Sequence, residues 1–137
     1  MKRLFRLGRD ERGAAVVELA LSLPILITVI YGIFELSQLF EADASMQHAL
    51  GEGGRYATLC VPTATGCNPE SDTSIKTKMN AKLFGTPGGS FNVQDVVDGS
   101  NSKTLTITYT RTMNFLFFSG PTVTLTRSKL VYTPSAT

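Results

Sequence analysis

Hydrophobic and polar positions divide this chain into stretches of different period. Residues 14–34, AAVVELALSLPILITVIYGIF, are apolar almost without interruption, and Glu18 is their only formal charge. As a helix rising about 1.5 Å per residue, this run is about 31 Å long, which matches the hydrocarbon core of a bilayer. Over 35–59 the pattern stays helix-compatible, with Leu36, Leu39, Phe40, Met46, Leu50 and Tyr56 in a discontinuous apolar stripe. One long rod is therefore expected to continue out of the membrane. Gly51, Gly53 and Gly54 should bend or fray it, since each interior glycine costs about 1 kcal/mol relative to alanine, and Pro62 should end it.

A second, short amphipathic helix is predicted over 71–84, where Ile75, Met79 and Leu83 recur every fourth residue after Ser71 and Asp72, residues suited to an N-cap. The glycine and proline cluster GTPGGS then breaks structure. Beyond it lie three runs of strand character, 91–97, 103–113 and 121–132, which predict a three-stranded antiparallel sheet. In the middle run Leu105, Ile107 and Tyr109 alternate with Thr104, Thr106, Thr108 and Thr110, placing aliphatic and aromatic groups on one face and hydroxyls on the other. The alternation slips near 127–130, as a β-bulge there would cause. Between the last two runs Phe115, Leu116, Phe117 and Phe118 cluster, either as a core plug or as an exposed contact patch, with the core favoured.

The fold class is thus α+β: a long N-terminal transmembrane helix continuing into a small domain with a second helix and a sheet. The boundaries expected are a basic leader at 1–13, a spanning helix at 14–40 and an extracytoplasmic domain at 41–137. About 95 residues remain to fold outside the apolar third, enough for one modest core. Charge changes this picture only through its position. The formal net charge of +2 gives no reason to expect nucleic acid as a partner. Lys2, Arg3, Arg6, Arg9 and Arg12 crowd the leader against only Asp10 and Glu11, whereas Glu35, Glu41 and Asp43 follow the apolar run. The positive-inside rule then puts the N-terminus in the cytoplasm and the C-terminus outside it. A cleaved secretory signal is the competing reading, but the apolar run exceeds the roughly 7 to 15 residues of a signal's hydrophobic region and no small-x-small site follows it.

Candidate chemistry is sparse. Cys60 and Cys67 lie in CVPTATGC on the exported side, where an oxidising compartment favours a local disulfide contributing about 2 to 3 kcal/mol. Two thiols with the one distant histidine, His48, cannot build a four-ligand zinc centre, so no metal is expected. His48 reads as a solvated helix residue. GEGGR lacks the Lys-Ser/Thr ending of a phosphate loop and lies in a helical pattern. No catalytic constellation and no cofactor site emerges, and an enzyme is not expected.

Glu18 is the exception to this blandness. An acid about one turn inside an apolar run is costly, and intramembrane acids are functional candidates, although snorkelling to the headgroups or protonation would also accommodate it. Its setting is Arg12-Gly13-Ala14-Ala15-Val16-Val17-Glu18-Leu19, followed by Pro24 and by Gly32-x-x-Glu35. This segment resembles the N-terminus of TadE-like pseudopilins, minor components of the bacterial tight adherence (Tad, Flp) type IV pilus. The resemblance covers the first third of the chain well and the rest in outline, as a pilin-like domain. It implies that a prepilin peptidase cuts between Gly13 and Ala14, leaving Glu18 as the fifth residue of the mature protein. It also implies that Glu18 offsets the new amine of a neighbouring subunit and so sets register. Leu19 stands where many major Flp pilins have tyrosine, which fits a minor pseudopilin better. The partners implied are the peptidase, other pilins and pseudopilins, an inner-membrane assembly platform and membrane lipid, at the inner membrane or the pilus base. Pro24 is expected to kink the apolar helix, and Glu35 to be an interfacial carboxylate with no particular partner. The alternative function is a permanently anchored binding module whose contacts lie at 115–118.

Overall fold

The computed structural model describes residues 11–63, 66–85, 88–116 and 118–133, with the backbone alone at 11, 12, 60, 62, 63 and 66–69. The leader residues Lys2, Arg3, Arg6 and Arg9 and the side chain of Arg12 lie outside the described residues. Helix α1 spans Glu11–Ala57, 47 residues, or about 70 Å at the helical rise. Up to Phe34 its large apolar side chains, among them Val16, Leu21, Ile25, Ile30 and Ile33, are exposed. From Glu35 onward one stripe is buried, Glu35, Gln38, Leu39, Ala42, Ser45, Met46, Ala49, Leu50 and Ala57, with the three- and four-residue spacing of a helix face packed on a core. Leu36 and Phe40, expected in that stripe, are exposed instead. The inward positions beside them are taken by small or polar residues, which let other elements approach the helix axis closely.

Helix α2, Asp72–Lys82, starts as predicted: the Ser71 side chain accepts a hydrogen bond from the Ser74 amide, and Ile75 and Met79 are buried. The backbone N–H of Phe84, just past α2, donates to the buried Ser45 hydroxyl at 2.9 Å and fastens this end to α1. The glycines of α1 do not fray it. Gly53 lies where α2 crosses, and a Cβ there would stand 2.3 Å from Met79 Cγ, while one at Gly54 would stand 3.2 Å from Val131. Close packing is their role.

Four strands, one more than expected, form the main sheet. Strand β5, Ser102–Phe115, is central; β6, Phe118–Tyr132, pairs with it on one side. On the other side β3, Gly89–Val93, and β4, Val97–Gly99, pair with it end to end. The single run expected at 91–97 is split because its pairing slips by one residue: Val93 faces Ile107 but Val97 faces Thr104. The slip lets Asp95 reach Lys76 of α2 at 2.6 Å while Val96 packs against the core. Strands β1, Cys60–Thr63, and β2, Gly66–Pro69, make a separate two-stranded ribbon where no strand was expected.

Alternation along β5 holds: Leu105, Ile107 and Tyr109 are buried. On the outer face, hydroxyl pairs such as Thr112 with Thr122 at 2.9 Å ladder across to β6. No bulge occurs near 127–130. The register from Ser102↔Tyr132 to Thr112↔Thr122 is unbroken, and the shift comes between Thr112 and Asn114. The apparent slip has another cause. Arg127 and Lys129 occupy positions facing α1, where Arg127 meets Asp43 at 2.7 Å and the Lys129 stem lies over Gly54, while Leu130 and Tyr132 are exposed.

The core gathers Met46, Ile75, Met79, Leu105, Ile107 and Tyr109, all fully buried, each contributing about 1.5 to 3 kcal/mol of apolar burial. Far from Glu35, the buried Lys103 reaches Asp72 on α2 and, at 2.6 Å, Asp98 on β4. Burial alone pulls the Lys103 pKa down, but hydrogen bonds and charge from the two aspartates outweigh it and the net shift is upward.

Two outcomes follow from this packing. Gly51→Ala, at a position open on every side, should stabilise the domain by about 0.5 to 1 kcal/mol through helix propensity. Gly53→Ala should destabilise it, because overpacking of about 1 to 3 kcal/mol exceeds the same gain; thermal unfolding of both variants in detergent checks the opposite signs. A lysine whose folded pKa is raised contributes stability in full below its unfolded pKa of about 10.4 and loses it as pH climbs through the folded value. The stability gap between the parent chain and Lys103→Met should therefore stay constant from neutral pH to about 9 and shrink above about 10.5.

Candidate functional site

The features singled out in the sequence lie along α1 and fall into two groups, one near each end of its apolar run. Gly13 and Ala14 sit in the first turns of the helix and are exposed, with nothing within 4 Å of a Cβ placed on Gly13. Helix ends fray, and a glycine there is the residue most readily drawn into an extended form. Glu18 is exposed on the same helix face as Ala14, four residues on. Among the described residues it has no ion-pair partner. Its side chain tilts toward the helix N-terminus, the positive end of the helix dipole.

Pro24 lies inside α1, and the helix continues through it. The local hydroxyls are satisfied within the helix: Thr28 Oγ1 donates to the Pro24 carbonyl at 2.8 Å and Ser22 Oγ to the Leu19 carbonyl at 3.1 Å. The run thus presents apolar side chains outward and few unmet polar groups, as a helix in lipid must. By length and composition α1 can cross a membrane, and its most apolar window is buried by nothing else among the described residues.

At the far end of the run the reading of Glu35 needs correction. It is not a solitary interfacial carboxylate: it is 3% exposed, and Arg111 of β5 places Nη2 2.9 Å from its Oε2. Arg111 Nη1 also donates to Gln38 Oε1 at 3.4 Å, one turn along the helix. Gly88, at φ +97, lies against the guanidinium; a Cβ there would come 3.7 Å from its carbon, and the left-handed backbone itself favours glycine. Three residues before Glu35, Gly32 receives the tip of the β5–β6 hairpin, where the Phe115 ring would stand 3.7 Å from a Gly32 Cβ. Across the hairpin the same ring lies over Gly120, leaving no room for a Cβ (2.7 Å), and stacks on Phe118 with centroids 4.8 Å apart. Gly32-x-x-Glu35 is therefore the seat of the hairpin: an aromatic ring lies against Gly32 and the acid holds an arginine. Sequence reasoning missed this pair, although Arg111 shares the inward parity of Leu105, Ile107 and Tyr109, and a buried arginine demands an acid.

The 115–118 cluster is not a core plug. Phe115 is half-buried, but Leu116 and Phe118 are exposed, and the side chain of Phe117 lies outside the described residues. The side chains of Cys60 and Cys67 also lie outside the described residues. The strand register sets Cys60 opposite Pro69 and Cys67 opposite Pro62. His48 is exposed beside Phe84, with ring centroids 6.1 Å apart. Among the described residues no group of three metal-ligating side chains occurs.

A buried charge that loses its counter-charge is far costlier than an apolar replacement of both partners. Glu35→Ala should lower stability by roughly 3 to 5 kcal/mol, whereas Glu35→Leu combined with Arg111→Met should recover most of that loss. Unfolding midpoints in detergent decide it, and equal destabilisation by the single and double variants would refute the pairing.

No curated protein and no solved structure matches this chain. The family model described as TadE-like protein matches residues 13–55, from the glycine that precedes the apolar run to the last turn of α1. Over this helix, which carries Gly13, Glu18, Gly32 and Glu35, the chain is similar to TadE-like proteins.

Proposed function

We propose that the chain is a TadE-like minor pseudopilin that takes part in assembling a Tad (Flp-type) adhesive pilus and has no catalytic role of its own. The observation that carries this reading lies early in α1: Gly13 and Ala14, both exposed, stand one helical turn before the lone acid of the apolar run 14–34, within the segment that matches the family model. A prepilin peptidase removes the basic leader by cutting between Gly13 and Ala14, which is accessible from the aqueous edge and readily unwound. The new amine then lies one turn from a carboxylate. In lipid or in an apolar filament core, an unpaired charge of either sign is prohibitive and a pair is tolerable. Glu18 can thus offset the amine of an adjacent subunit and set axial register.

The remaining parts have consistent roles. The leader stays cytoplasmic, and the domain stands outside the inner membrane, where a bond between Cys60 and Cys67 would staple the β1–β2 ribbon. Pro24 bends the spanning helix for packing or extraction. The exposed apolar face of α1 packs against other pilins or pseudopilins and the inner-membrane assembly platform, or against lipid, and no nucleic acid is involved.

Mass spectrometry of the protein from producing cells tests this directly. The expected mature N-terminus is Ala14 in cells with the peptidase and Met1 in cells without it. Glu18→Ala should be processed yet fail to co-purify with partner pilins after crosslinking. An intact Met1 in both strains, or a start beyond Ser45, would remove the reading.

A further inference from the structure

The β5–β6 hairpin runs back along α1 toward its N-terminal half. Val131 of β6 meets the helix at Gly54, Arg127 at Asp43, Arg111 at Glu35 and Gln38, and Phe115 at Gly32. Each step along the hairpin toward its tip is a step down the helix toward the apolar run. At Gly32 the tip has passed the last polar residue of the packed stripe and entered that run, about 3 Å short of its end at the helical rise of about 1.5 Å per residue. Leu116 lies one residue beyond the Phe115 and Phe118 pair that closes the hairpin, about 3 Å farther along the strand direction.

The chemistry of the hairpin changes at this level. Thr112, Asn114, Ser119 and Thr122 make up the polar rungs just behind the tip, with Thr112 and Thr122 hydroxyls 2.9 Å apart. The terminal rung is Phe115 with Phe118, and Leu116 is 59% and Phe118 56% exposed. Hydroxyl rungs directly behind an apolar end match the boundary between headgroups and acyl chains. Its end is held at one depth, because Phe115 is seated between Gly32 and Gly120 and Arg111 is anchored on Glu35 one helical turn above.

We propose that the β5–β6 tip, through Leu116 and Phe118, inserts into the acyl region of the outer leaflet beside the spanning helix and fixes the height and tilt of the exported domain on the membrane. The occupant of this apolar tip is lipid, since the surface it continues is the lipid-facing part of α1. The proposal rests on the reading that α1 spans the bilayer.

The chain contains no tryptophan, so a single one reports its own surroundings. Leu116→Trp, Leu26→Trp in the span and Leu130→Trp on the outer face of the sheet are each reconstituted as full chain in phosphatidylcholine vesicles, with and without bromine on the acyl chains. The expected result is blue-shifted emission and bromine quenching for Leu116→Trp and Leu26→Trp, with neither for Leu130→Trp. If Leu26→Trp is quenched while Leu116→Trp emits as in water and is quenched by aqueous iodide, the tip proposal is wrong and the span stands. If Leu26→Trp escapes quenching, the span reading fails and the tip fails with it. A Leu116→Trp emission that is blue-shifted, insensitive to bromine and reversed by diluting the protein in lipid would show the tip seated on another copy of the chain, which also overturns the proposal.

Discussion

A dry contact between Glu35 and Arg111 joins the two halves of this molecule. The helix that carries Glu35 exposes an apolar surface up to Phe34 and packs on a protein core beyond it, and the acid stands at the change. Neither charge would be stable there alone. Placed 2.9 Å apart, they make the arginine of a threonine-rich strand and the glutamate of an apolar helix depend on each other. The sheet is consequently locked to the helix at the end of the apolar run, and the domain cannot swing about a free linker. Asp43 with Arg127 repeats the attachment two turns farther along, in a more exposed place where an ion pair contributes less.

Glycine sets how closely the elements can approach. Gly53 admits Met79, and at Gly89 the Tyr109 ring lies where a side chain would be. Each position trades a local propensity for contact: a glycine weakens the isolated helix or strand and lets a large side chain from another element cover the backbone. Because α1 keeps small residues at Ala42, Ser45 and Ala49 along the same face, the sheet and α2 lie close to its axis, and a domain of modest size still encloses a dry core.

Much of this was legible in the residues. The 14–34 run, the cap and buried positions of α2, and the alternation of β5 all depend on short-range periodicity, which one sequence displays. The Gly13 to Glu18 segment was legible as a motif, and the matching family segment starts at that glycine. What escaped depends on pairing across the chain. Leu36 and Phe40 looked like core because they are apolar, yet the inward face belongs to Glu35 and Gln38, for a reason 73 residues from Gln38 in the chain. Gly51, Gly53 and Gly54 looked alike as helix breakers, but only what packs against each one separates an open position from a crowded one. The break between β3 and β4 is a one-residue slip in their pairing with β5, and the phase change near 127–130 comes from basic side chains lying along α1 rather than from a bulge.

Amide hydrogen exchange of the full chain in lipid nanodiscs, compared with Arg111→Met, asks most directly whether the membrane exit is pinned by this contact. With the pairing as described, the substitution should speed exchange together in residues 35–45 of α1 and 105–115 of β5, while residues 14–30 keep their lipid-shielded protection. Unchanged protection at both segments, or loosening of β5 alone with α1 unaffected, would contradict it.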